Sequence, residues 1–271
     1  MSEIAEPLEG QVTDGRSRTE MAIACVLIVA VLAVWEIVCR AGLVNKLVLP
    51  PPSAVVIELW RVLLDVATGG PMLRHLMATL WEIIAGFSIG SFFGFVLGVM
   101  IAESPTARRA ILPYLISLNA APKVALAPLL LVWFGFGLGS KIVMAALIAF
   151  FPLLVNVISG LSTVDEGKLK LMRSLAASRH MTLMKVKLPE AMPAIFAGLK
   201  SASVLAVVGA IVGEFVGADV GLGYVIKQSE YQLDVANTFA VIVLLSAIGI
   251  LFFYAVELLE RRSLFWTRSR P

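Results

Sequence analysis

The chain has 271 residues, of which 59% are hydrophobic and 15% charged, with a formal net charge of +3 and a mean hydropathy of +0.92. A soluble domain of this length cannot hide that much apolar surface, because its interior grows too slowly with size. So small a net charge gives no footing for a nucleic-acid partner.

The apolar residues run in long stretches that read as bilayer spans. Residues 1–20 form a polar tail rich in Glu, Gly, Ser and Thr, too polar to pack. Met21–Cys39 is apolar except for Glu36. It lacks a small-residue cleavage site and is too long for a signal peptide, so it reads as an anchor. Its cysteines, Cys25 and Cys39, read as small core residues. The segment 41–75 carries Pro50-Pro51-Pro52 and then an amphipathic stretch over Val55–Val66, which predicts a short helix along the membrane surface.

Ile83–Ala102 carries no charge, and Gly86, Gly90, Gly94 and Gly98 recur every four residues, continued by Ala102. That spacing clears one helix face of side chains and predicts close packing against another helix. Ala110–Ser140 has one charge, Lys123, and two prolines, Pro122 and Pro128. Ile142–Val164 is uncharged, Ala191–Gly213 has only Lys200, and Val235–Val256 is again uncharged. Each stretch reaches the ~20 residues a helix needs to cross ~30 Å of hydrocarbon. Helices satisfy every backbone group without water, so the expectation is an all-α membrane protein with six transmembrane helices in one domain, 21–262, and a short C-terminal tail, 263–271.

Six spans put both termini on one side. That side holds Arg16, Arg18, Arg108, Arg109, Lys168, Lys170, Arg173, Arg179, Lys185, Lys187, Arg261, Arg262, Arg268 and Arg270. The other holds Arg40, Lys46, Arg61, Arg74, Lys141 and Lys227. The asymmetry places the termini in the cytoplasm of a bacterial inner (plasma) membrane and the segments 41–75 and 217–234 outside. The inside loop 165–190 is the most basic stretch, with Leu169, Met172, Leu175, Leu183 and Val186 at helical intervals among the charges. Pro189 and Pro193 close it. Held between two spans, it reads as a docking lever.

Catalytic chemistry finds no support in these residues. Gly137-Leu-Gly-Ser-Lys141 lacks the Gly-Lys-Ser/Thr ending of a phosphate loop and follows no strand, so no nucleotide or other cofactor site is expected in this chain. His75 and His180 fall at opposite sides of the membrane and make no metal site. No nucleophile constellation is present. Polar groups inside spans are costly and so tend to have a partner or a task. Asn119 and Lys123 flank Pro122, Asn156 follows Pro152, and Ser203 and Glu214 lie in or beyond the fifth span. These five are candidate pathway residues, with interhelical bonds or a snorkelling lysine as the plain alternative. Lys123 and Lys200 are open to pairing with Glu36 or Glu82.

Residues 170–193, Lys-Leu-Met-Arg-Ser-Leu-Ala-Ala-Ser-Arg-His-Met-Thr-Leu-Met-Lys-Val-Lys-Leu-Pro-Glu-Ala-Met-Pro, resemble the signature of binding-protein-dependent transport permeases. That signature runs Glu-Ala-Ala, three residues, Gly, nine residues, Ile, one residue, Leu-Pro. Ala176 takes the glycine position, Val186 the isoleucine and Leu188-Pro189 the closing pair, while Lys170-Leu171-Met172 replaces the opening triplet. Ala121–Leu129, Trp133–Gly137, Gly213–Gly217 and Gly221–Tyr224 resemble the nitrate/sulfonate/taurine branch of these ABC (ATP-binding-cassette) permeases.

The resemblance covers roughly residues 20–260 and implies the fold of a type I importer permease, like those for maltose and methionine. It implies two permeases side by side as a homodimer, two ATPase subunits beneath them holding ATP and Mg, and a periplasmic or lipid-anchored solute-binding protein outside. Arg173, Leu175, Ala176, Ala177, Ser178 and Arg179, with Pro189 behind them, would contact the ATPase as a coupling helix. The cargo it implies is a small solute, an anion such as a sulfonate, nitrate or bicarbonate, with cyclic and vitamin-related compounds as the other cargoes of that branch. An ATP-independent secondary transporter or channel is the alternative, but it calls for an inverted repeat or several deep titratable residues, which the chain does not display.

Overall fold

A computed structural model describes residues 18–45 and 47–264. Most of the two expected tails, 1–20 and 263–271, lies outside the described residues, as do Arg16, Lys46, Arg268 and Arg270 of the cation asymmetry. The described chain is helical: α1 (Arg18–Arg40), α2 (Pro52–Ala67), α3 (Pro71–Glu103), α4 (Pro105–Ala120), α5 (Ala127–Phe134), α6 (Leu138–Ser162), α7 (Glu166–Ser174), α8 (Arg179–Thr182), α9 (Leu188–Gly217), α10 (Leu222–Tyr231) and α11 (Val235–Ser263). A 3-10 turn over Lys123–Leu126 precedes α5 and a π turn over Leu183–Lys187 precedes α9.

Helix boundaries follow local chemistry. α2, α3, α4 and α9 carry proline at their first or second position, where the missing N–H is not needed. Ser104, Asp165, Ser178 and Asp234 cap α4, α7, α8 and α11 by accepting from the amides of Ala107, Lys168, Met181 and Asn237, each satisfying a donor that the helix leaves unpaired.

The helix α6 forms the centre, packed between α3 and α9. Its most apolar stretch is 56% buried, against 6% for α1 at the edge. The α3 glycine row lies on the face turned to α6. A Cβ on Gly86 would strike Ala145, on Gly90 the Ala146 carbonyl, on Gly94 the Phe150 carbonyl at 2.8 Å, and on Gly98 the Val157 side chain at 2.7 Å. The α9 side is equally close, with Gly198 against Asn156 and Leu153, and Gly209 against Ala145 and Met144. Stripped of side chains, these backbones gain dispersion contact that the bilayer does not otherwise reward. α11 flanks α9, and α2 packs against both α11 and α3.

Among the described residues, five helices are long and apolar enough to cross a membrane: α1, α3, α6, α9 (counted from Arg179) and α11. The third stretch, Ala110–Ser140, differs from the straight span its composition predicts. It is α4 and the Lys123–Phe134 segment, bent by 81° where they meet, and the pair makes a sixth span if its limbs cross together. Pro122 sits at the bend, removing an amide and disfavouring helix in the residue before it. α2 occupies the region of the amphipathic surface helix, with Val55 and Val62 buried and Val56, Ile57 and Trp60 exposed.

Candidate functional site

The loop 165–190 folds into α7, a reversal, α8 and the π turn. At the reversal Ala176 adopts φ 48°. Its amide donates to the Arg173 carbonyl at 3.0 Å and the Ala177 amide to the Met172 carbonyl at 3.0 Å, the paired bonds that close a helix through a left-handed residue. Glycine suits that conformation best, which accounts physically for the glycine this position carries in the signature. Arg173, Leu175, Ala176, Ser178 and Arg179 are exposed around the turn and Ala177 is partly buried. Leu175 is 67% exposed and Leu171, one helical turn before it, 58%. Pro189 lies apart, in the first turn of α9. Two ion pairs bind the loop to the spans: Lys168 to Glu190 at 2.9 Å and Lys187 to Glu103 at 2.6 Å.

The five intramembrane candidates do not converge on one cavity. Asn119 and Lys123 meet at the break between α4 and α5: the Lys123 ammonium donates to the Asn119 carbonyl at 2.6 Å and to its side-chain oxygen at 3.1 Å, and sits 4.8 Å above the Phe151 ring. Asn156 donates to the Pro152 carbonyl at 2.8 Å and packs over Gly198. Ser203 is buried and donates to the Lys200 carbonyl at 2.8 Å. An open apolar groove of about 930 Å³ runs between α9, α10 and α11, past Val207, Ile211, Phe215, Leu245 and Phe253, and none of the five lines it. The expected pairing of Lys123 or Lys200 with Glu36 or Glu82 is not what the packing makes. Lys200 pairs with Glu260 on α11 at 2.7 Å, because α11 flanks α9 there, and Glu36 holds Arg40 and Ser53.

Glu214 belongs to a polar cluster at the end of the helices opposite the loop 165–190. Glu214, Glu82, Thr79 and Lys141 are all nearly or fully buried. Thr79 donates its hydroxyl to Glu214 at 2.6 Å. Glu82 lies beside Glu214, no donor among the described residues reaches its oxygens, and Lys141 is the cation that faces both carboxylates. Lys141, one of the cations expected on the outer side, is buried and donates to the Phe136 and Gly137 carbonyls at 3.1 and 3.3 Å. His75 meets the start of α10. Its Nδ1 accepts from the Gly221 amide at 3.1 Å and its ring stacks on Tyr224. Sequence reasoning passed over Thr79, and met Glu82 only as a possible lysine partner and Lys141 only as an outside cation. The available signal was Glu82 itself, a charge abutting the uncharged stretch that begins at Ile83.

The comparisons with known proteins agree with this geometry. Residues 86–264 match the family model described as binding-protein-dependent transport system inner membrane component. The chain is 31% identical to the formylaminopyrimidine transport permease protein ThiX of Halalkalibacterium halodurans, over 88% of this chain and 93% of ThiX. It is 29% identical to the taurine transport system permease protein TauC of Escherichia coli, over 87% and 86%. Among solved structures it resembles a chain of the inward-facing MetNI methionine ABC transporter, with a TM-score of 0.58 and 25% identity over 68% of this chain and 93% of that one. The α3–α6–α9 core with its projecting signature turn is thus that of a type I importer, and this multi-pass chain belongs to the binding-protein-dependent inner-membrane permeases, the transmembrane subunits through which ATP-binding-cassette importers pass their solute.

Proposed function

We propose that this permease works as a homodimer that passes a small anion of the sulfonate class, driven by two ATPase subunits that dock on the loop 165–190. The observation that carries the docking assignment is the reversal at Ala176, which presents the exposed Leu175 between Arg173 and Arg179. An apolar knob ringed by cations suits a groove with acidic walls. ATP and Mg belong to the ATPases, and the cytoplasmic side holds both termini and this loop. A solute-binding protein, periplasmic or lipid-anchored, delivers cargo at the opposite end, where α2 and α10 lie.

Support for an anionic cargo comes from Lys123, whose ammonium is held by the oxygens of Asn119 and by the Phe151 ring rather than by a carboxylate. A cation left net positive at the break of α4 and α5 attracts anions to that point. TauC, by its name, serves a sulfonate, which agrees with this reading.

Purification of the tagged chain from its native membrane in mild detergent tests the proposal. The expected result is co-recovery of an ATPase subunit, abolished by Ala177→Glu while the chain remains in the membrane. Recovery of the chain alone, or normal co-recovery with Ala177→Glu, would sink the docking assignment, and the former would favour a secondary transporter.

A further inference from the structure

The first amides of α10 are captured by three side chains of other helices. Its N-cap is Gly221, which has no side chain to offer and sits at φ 136°. The Gly221 amide donates to His75 Nδ1 on α3, the Leu222 amide to Thr79 Oγ1 on α3 at 2.8 Å, and the Gly223 amide to the Glu214 carboxylate on α9. Thr79 in turn donates to Glu214, so the second and third amides end on one connected buried pair, while the half-buried His75 takes the first. A helix leaves its first N–H groups unpaired and carries partial positive charge there, and a buried carboxylate is the strongest neutraliser the chain can supply. Leu222, Val225 and Ile226 on the inner face of α10 are buried against the α3–α6–α9 core, while Tyr231 at its far end is 78% exposed.

We infer that Glu214, Thr79 and His75 form a latch that caps α10 from outside its own segment and fastens this surface helix to α3 and α9, so that α10 moves with the core. The functional consequence rests on the importer reading, in which α10 faces the solute-binding protein: a push on α10 is delivered through the latch to α3 and α9. Glu214 is then a positioning residue that never touches cargo.

Cysteine labelling of the full chain in sealed, oriented membrane vesicles tests this. Cys25 and Cys39 are replaced by alanine, and a single reporter is placed at Val225→Cys, beneath α10, to react with a membrane-impermeant maleimide. With the latch intact the reporter is protected. Glu214→Gln and Thr79→Val are expected to raise its labelling rate about tenfold, the scale of losing one charge-assisted bond. Thr79→Ser, which keeps the hydroxyl, and Glu82→Gln, which keeps the shape of the cluster, are expected to leave it protected.

An unchanged rate in both Glu214→Gln and Thr79→Val overturns the latch. So does simultaneous exposure of a second reporter at Val157→Cys, in the α3–α6 contact where the cysteine is smaller than the valine it replaces, because the network would then hold the whole bundle rather than α10. A control at Tyr231→Cys separates this from the wider reading. Labelling of Tyr231→Cys only from the cytoplasmic side would refute the orientation, with the latch still decided by the Val225→Cys rates.

Discussion

Lys187, in the π turn below α9, reaches Glu103, the last residue of α3, at 2.6 Å. The pair joins the foot of the signature loop to a helix 84 positions away in sequence. Both side chains are partly buried, so the contact is less screened than a surface pair. Glu103→Gln is expected to cost about 1 kcal/mol of stability and to reduce the coupling of ATP hydrolysis to uptake several-fold. The exchange Glu103→Lys with Lys187→Glu should restore much of both. Uptake and ATPase rates of the reconstituted complex check this, and failure of the exchange to rescue would mean that the pair does not carry the coupling.

Ala176 holds a left-handed conformation that an L-residue adopts at a cost. Ala176→Gly is expected to stabilise the loop by about 1 kcal/mol, and Ala176→Val to destabilise it by at least as much. Thermal unfolding of the detergent-solubilised chain, together with ATPase co-purification, measures both effects. A more stable valine variant would contradict the turn geometry.

The α3–α6 contact leaves no room at Gly90, where a Cβ would meet the Ala146 carbonyl, a backbone atom that cannot turn aside. Gly90→Leu is expected to cost about 3 kcal/mol and to lower the yield of folded chain. Gly137→Ala is the control, since a Cβ there meets nothing within 4 Å. Equal yields from the two would show that the helices do not approach so closely.

Lys200 and Glu260 are each other's partner, at 2.7 Å and with both side chains partly buried. Lys200→Met alone is expected to cost about 2 kcal/mol by leaving Glu260 uncompensated, and Lys200→Met with Glu260→Gln to cost less than either change alone. Cargo affinity is expected to stay within about twofold in the double variant, because a neutralised lysine steers no anion. A tenfold loss of affinity there would place Lys200 in the pathway.

The apolar stretches, the helix α2 and the basic loop were all legible in composition, because the bilayer imposes its length and polarity on each helix separately. The glycine row was legible for the same reason, since periodicity is local, and Ala176 was marked by its place at the glycine of the signature. Pro122 marked the interruption of the third stretch, but only packing against α6 decides that its two limbs diverge by 81°. The partners of the intramembrane polar residues lay beyond sequence reasoning. Glu214 finds Thr79 across 135 positions, the Gly221 amide finds His75 across 146, and Lys200 finds Glu260 on another helix. Composition determined that each such group needs a partner. Which partner it receives is settled only when the helices set their depth and rotation against one another, since these are properties of pairs of helices and no single segment encodes them.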